Sequence, residues 1–137
     1  MADSIVQNVS SAPGKGKTIA LWVLQVLMAA VFLVVGCSKL LGAAPMVELF
    51  ETIGVGQWFR YVTGGLEIVG GIVLLIPGMA AFAAALLACI MVGAILTHLT
   101  VLHTSPTGPV ALLAVLAIIL WGRWNQIARR LGYRTWL

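Results

Sequence analysis

Glu67, Lys39 and His98 are the side chains through which this chain could do chemistry. Glu67 sits in Thr63-Gly64-Gly65-Leu66-Glu67-Ile68-Val69-Gly70-Gly71, a carboxylate surrounded by four glycines at the head of an apolar run. In hydrocarbon, helices associate through close packing and interhelical hydrogen bonds, and small residues permit that approach. An ionisable side chain at such depth is costly unless it is paired, so it marks either a functional site or a structural pair. In the functional case, a carboxyl in a low dielectric beside a cation holds a movable proton and hydrogen-bonds a small lipophilic ligand such as a quinone. In the structural case, Glu67 forms a buried ion pair with Lys39 or His98 that fixes helix register. Both readings stand at the level of the residues.

Other chemistries find little support. His98 and His103 are five positions apart, about 500° around a helix, so they face roughly 140° away from each other. With no further histidine and no ligand cluster of known spacing, neither a metal site nor haem ligation is expected. Cys37 and Cys89 form no C-x-x-C, lie at different expected depths, and read as buried small hydrophobes rather than a redox dithiol. Serines and threonines lack a neighbouring base at readable spacing, which removes hydrolase chemistry. Whether the chain is an enzyme at all is not fixed by its residues.

The elements that must position these groups are apolar spans. The chain has 137 residues, of which 61% are hydrophobic and 9% charged, and its mean hydropathy is +1.08. Soluble domains hold about a quarter charged residues, so the bilayer is the first expected partner. Residues 1–17 read as a disordered polar tail. A first span runs from Thr18 to about Leu41. Its Val34-Val35-Gly36-Cys37 resembles a lipoprotein cleavage site, but the apolar run is longer than the roughly 7–15 residues of a signal peptide and more spans follow. It is therefore read as a retained helix. In the loop after it, Met46, Leu49, Phe50 and Ile53 fall at helical spacing behind Pro45 and ahead of Gly54 and Gly56, with Glu48 and Glu51 opposite. That pattern predicts a short helix lying on the outer interface.

A second span covers about Trp58 to Ile76, a tight turn follows at Pro77-Gly78, and a third covers about Met79 to Leu102. The fourth runs from about Val110 to Trp124, with Arg123 snorkelling to water and a basic helical extension over 125–131. The expected fold is thus an all-α membrane protein, an antiparallel four-transmembrane-helix bundle. Its spans occupy residues 18–124, between a cytoplasmic tail of residues 1–17 and a basic one of residues 125–137.

Lys15 and Lys17 precede the first span, Arg123, Arg129, Arg130 and Arg134 follow the last, and the first, outer loop balances Lys39 and Arg60 against Glu48 and Glu51, which places both termini in the cytoplasm of a cell with this protein in its plasma membrane. The basic residues flank membrane segments and gather on no single face, so nucleic acid is not an expected partner. Trp22, Trp121 and Trp124 would form the inner aromatic belt, and Trp58 part of the outer one. Counted inward at 1.5 Å per residue, Glu67 lies roughly 14 Å below Trp58 and His98 roughly 6 Å below the outer end of its span. Side chains tilt toward the N-terminus of their helix, which carries Glu67 outward and Lys39 and His98 inward, toward one level. Gln25, nearer the cytoplasmic side, is read as bonding across helices.

These residues also resemble a known family. Gly36-x-x-Lys39-Leu40, then Gly64-x-x-Glu67-Ile68-x-Gly70-Gly71, then Met91-x-Gly93-Ala94 followed by Thr97-His98, look in order and spacing like the DoxX-like family, over roughly residues 18–123. The resemblance implies a four-helix integral membrane protein associated with membrane redox systems, since a namesake relative is a small subunit of a thiosulfate–quinone oxidoreductase. Relatives that handle thiols would call for paired cysteines, which this chain lacks. Three functions compete: an accessory redox subunit with a quinone-type pocket near Glu67 and His98, a non-enzymatic scaffold binding partner helices, and a carrier or isomerase within the bilayer. The first needs a polar-lined cavity open to lipid, the second an exposed small-residue face without a cavity, the third a cavity reaching both sides. Partner redox subunits and a second copy of the chain are both compatible with these readings.

Overall fold

In a computed structural model, residues 14–132 are described and are all-helical, with no strand among them. Six helices follow one another: α1 Lys15–Leu40, α2 Ala44–Ile53, α3 Gln57–Leu74, α4 Ala80–Thr100, α5 Thr107–Gly122 and α6 Trp124–Arg130. α1 and α4 are long and apolar enough to cross a membrane, and α5 with α6 makes a third such segment if the bent pair is one span. α3 has the length, at 18 residues, but carries Arg60 and Glu67, and those two charges lower its hydropathy. The expected disordered tail falls mostly outside the described residues. Its last three positions, Lys15 to Lys17, already belong to α1.

Each boundary follows from local chemistry. The first loop holds the expected short helix, with Pro45 in its first turn and Gly54 at its end in the left-handed region (φ 78°), donating its N–H to Phe50 O. Glycine reaches that conformation without strain. Gly78 (φ 81°) makes the tight α3–α4 turn in the same way. α5 starts at Thr107, earlier than expected, and stops at Gly122, where the chain bends by 53° into α6. The basic extension is therefore a separate helix rather than a continuation of the last span.

Tight packing between α1 and α3 organises the rest. A Cβ added to Gly36 would come within 2.8 Å of Gly64 O, and one on Gly71 within 3.3 Å of Ala29 O. The pairing of 36 with 64 and of 29 with 71 shows that these two helices run antiparallel. On the adjacent side of α3, a Cβ on Gly70 would come within 2.6 Å of the Leu87 side chain, which packs α4 against that glycine. Three of the four glycines around Glu67 thus serve helix contact, and Gly65 does not: nothing lies within 4 Å of a Cβ placed there. Met28, Phe32, Leu74, Leu87, Leu116 and Ile119 fill the core between α1, α3, α4 and α5.

Candidate functional site

Glu67 is 1% exposed. Its Oε1 accepts a hydrogen bond from Lys39 Nζ at 2.6 Å, while its buried Oε2 has no partner. Glycine makes the pair geometrically accessible: a Cβ on Gly64 would stand 2.9 Å from Lys39 Cβ. Because Gly64 lies one turn before Glu67, the close approach it permits delivers Lys39 to the carboxylate.

Lys39 is anchored in turn. As α1 ends, its last carbonyls lose their helical donors, and Arg60 Nη1 donates to Lys39 O. Arg60 Nε donates to Gln57 Oε1 at 2.6 Å, and Gln57 Nε2 to Val47 O at 3.0 Å. Hydrogen bonds thus run from the Glu67 carboxylate through α1 to α2. Arg60 is 4% exposed and its guanidinium lies 4.4 Å from the Tyr61 ring centroid. The sequence reading counted Arg60 among the charges of the outer loop. It is instead a buried residue of α3, and the signal was Gln57 one turn before it, within reach of its guanidinium.

His98 stands on α4 near its end and shares a hydrogen bond with Thr104 Oγ1 through Nδ1 at 2.7 Å. Of the two partners expected for Glu67, Lys39 is therefore the bonded one, and His98 is taken by the loop that follows its own helix. His98 and Glu67 still meet across a cavity of about 670 Å³, which Lys39, Thr63 and Thr97 also line. Pockets of this size hold small molecules.

Met46, Leu49, Phe50 and Ile53 of α2 form part of the cavity's wall, and the Phe50 ring meets that of Phe59 edge-on at 5.9 Å between centroids. The apolar face of α2 is thus turned onto the bundle, leaving Glu48 and Glu51 exposed. Cys89 lines the cavity and is exposed, as is Cys37. Neither is the buried hydrophobe expected, because each stands on an outward face of its helix. Among the described residues no group of three His, Cys, Asp or Glu side chains is placed to hold a metal ion.

A second polar cluster lies at the far end of the bundle. Gln25, 1% exposed, donates through Nε2 to Leu74 O at 2.8 Å and accepts from Arg123 Nε at 2.9 Å. Gln25 therefore bonds across helices as expected. Arg123 does not extend wholly to water: its guanidinium turns inward, one of its nitrogens is buried without a partner, and it lies 5.6 Å from the Trp22 ring centroid. Gln126 accepts the N–H of Ala81 at 3.2 Å, which fastens α6 to the start of α4.

A family model described as the DoxX-like family matches residues 23–122. A curated protein of Bacillus subtilis (strain 168), "Putative oxidoreductase CatD", is 30% identical over 74 residues, 54% of this chain and 55% of that protein. The chain therefore matches about half the length of that relative. No solved structure matches the chain.

Proposed function

The chain belongs to the DoxX-like family, and on that premise we propose that it is an accessory subunit of a membrane redox system that holds a quinone-type, lipid-soluble ligand. The observation that carries this reading is the cavity of about 670 Å³ in which apolar walls meet Lys39, Glu67 and His98. A ligand pocket combines apolar lining with a few placed polar groups in this manner. The relative named as an oxidoreductase adds support for redox work. A scaffold built only on small-residue helix faces would need no such space. A carrier would need a passage to both sides, whereas neither Gln25 nor Arg123, at the far end of the bundle, lines this cavity.

The same proposal includes four antiparallel spans in the plasma membrane, α2 at the outer interface, and both termini in the cytoplasm, on the strength of the basic flanks. Single cysteines at Thr107 and Asn125, in a protein lacking Cys37 and Cys89, should then react with an impermeant maleimide from opposite sides of the membrane. Reaction from one side only would remove this topology.

The ligand reading is tested by extraction. Solvent extracts of the purified protein should contain a quinone in near-equal amount to the protein. Glu67→Gln keeps shape and an acceptor for Lys39 but loses the charge. It should fold with an unchanged helical spectrum and retain roughly tenfold less quinone, the effect of one lost charge-assisted contact. Equal quinone content in both proteins would show that Glu67 only fixes helix register.

A further inference from the structure

We infer that the cavity is entered sideways from the bilayer, through a seam between α3 and α4, and that Gly93 stands in that opening. This rests on the ligand reading above and specifies the ligand's shape and path. The two helices are in close contact where Gly70 meets Leu87, whose side chain is fully buried. Further out along α3, Leu66 and Val62 line the cavity while 39% and 46% exposed. On α4, Cys89 and Gly93 lie further out than that contact and Leu86 stands beside it, and all three line the cavity and are exposed as well. Other walls differ: Phe50, Glu67 and Met91 line the same space and are buried. Apart from Gly108 at the start of α5, the exposed residues of the lining all stand on α3 and α4, so the wall is incomplete chiefly along their seam. That seam is apolar apart from Cys89, and in a membrane protein such a face looks onto lipid.

The occupant follows from how the walls are graded. Along α4 the lining extends from Leu86 to His98, twelve residues or roughly 18 Å of helix at 1.5 Å per residue. Its polar members, Thr97 and His98, are at one end, level with Lys39 at the end of α1. Leu86 and Ile90 form the other end. An elongated space that is polar at one end, apolar at the other and open along its side fits a single-chain amphiphile. The head group lies beside Lys39 and His98, and the chain leaves through the seam.

Gly93 offers a direct test, because a Cβ added there meets nothing within 4 Å. A large side chain can therefore enter the opening without colliding with the bundle. Gly65 is also open to a Cβ but is outside the cavity wall, so it provides a matched control.

The full chain, reconstituted in phosphatidylcholine vesicles, is irradiated with a decyl-tailed benzophenone. Labelled sites are mapped by mass spectrometry, and only labelling removed by excess decyl-benzoquinone is counted. In the unaltered protein this saturable label should fall on Leu66, Leu86 or Cys89. Gly93→Trp should lower it by roughly tenfold, and Gly93→Leu by less, whereas Gly65→Trp should leave it unchanged. Thermal unfolding midpoints of the variants should agree. Full labelling of Gly93→Trp, or an equal loss in Gly65→Trp, would overturn the lateral seam while leaving the ligand reading in place. Absence of saturable label from the unaltered protein would overturn both.

Discussion

Glu67→Ala should lower stability by about 3–5 kcal/mol, the range for stranding one member of a buried ion pair. The loss comes from Lys39. Its ammonium reaches Glu67 Oε1 at 2.6 Å, and its side chain is 12% exposed. Without the carboxylate it must remain charged among apolar walls or pull out toward the end of α1. Because a lysine stem can snorkel, the lower part of the range is expected. Removing both charges should cost much less. In Lys39→Met/Glu67→Leu the two side chains fill similar space and no charge remains, so most of the lost stability should return. Unfolding of the detergent-solubilised protein by denaturant, followed by helical signal, measures both. If alanine at 67 cost under about 1 kcal/mol, the pair would be an exposed contact in effect, and Glu67 would not anchor the bundle.

Gly36→Leu should do comparable damage by a different route. Its Cβ would come within 2.8 Å of the Gly64 carbonyl oxygen and within 2.8 Å of Ile68 Cγ1. A flexible side chain can move out of the way, but a helix backbone cannot, so α1 and α3 must separate. Overpacking of this kind costs about 1–3 kcal/mol, and more where backbone has to shift. The separation would also carry Lys39 away from Glu67, adding part of the first loss. We expect about 3 kcal/mol or more, with poor recovery of folded protein. Gly65→Leu, next to the Gly64 that Gly36 packs against but facing open space, should stay within about 0.5 kcal/mol of the unaltered protein. Equal behaviour of the two would show that the glycines near Glu67 are interchangeable spacers.

Helix existence was legible wherever an apolar run had clear limits. Pro45 and Gly54 bracket α2, and Pro77 with Gly78 marks the α3–α4 turn. The Glu67–Lys39 pair was also within reach, because the direction of Cβ tilt brings two residues on opposed helices to one level. His98 obeyed the same rule yet bonded elsewhere. Tilt fixes level and not rotation, and Thr104, six residues on, competes for its Nδ1. Arg60 was misplaced because counting charges by loop assumes that a cation near a span's end faces water. Of its two partners, Gln57 one turn before it was legible, whereas the Lys39 carbonyl at the end of α1 was not, because a main-chain acceptor leaves no trace in residue types. Arg123 was missed for a related reason, since its partner Gln25 is 98 residues away. The cavity was the least legible feature: a void depends on which helix faces diverge, and periodicity is silent on that.

The bond between Gln25 and Arg123 sets an order on how the molecule is made. Gln25 belongs to α1, which leaves the ribosome before the other described helices, and it accepts a hydrogen bond from a residue just past the end of α5. Its amide oxygen must wait for that donor, 98 residues on, while the chain between them is synthesised and inserted. Its amide nitrogen waits for less, because Leu74 at the end of α3 arrives earlier. Polar groups in hydrocarbon seek partners, and an unmet acceptor keeps a nascent helix open to other associations. α1 is therefore held against α3 at Gly36 and Gly64 from the time α3 is made, but its Gln25 is satisfied only once Arg123 has followed α5, so this contact closes as a specific clasp rather than by gradual tightening.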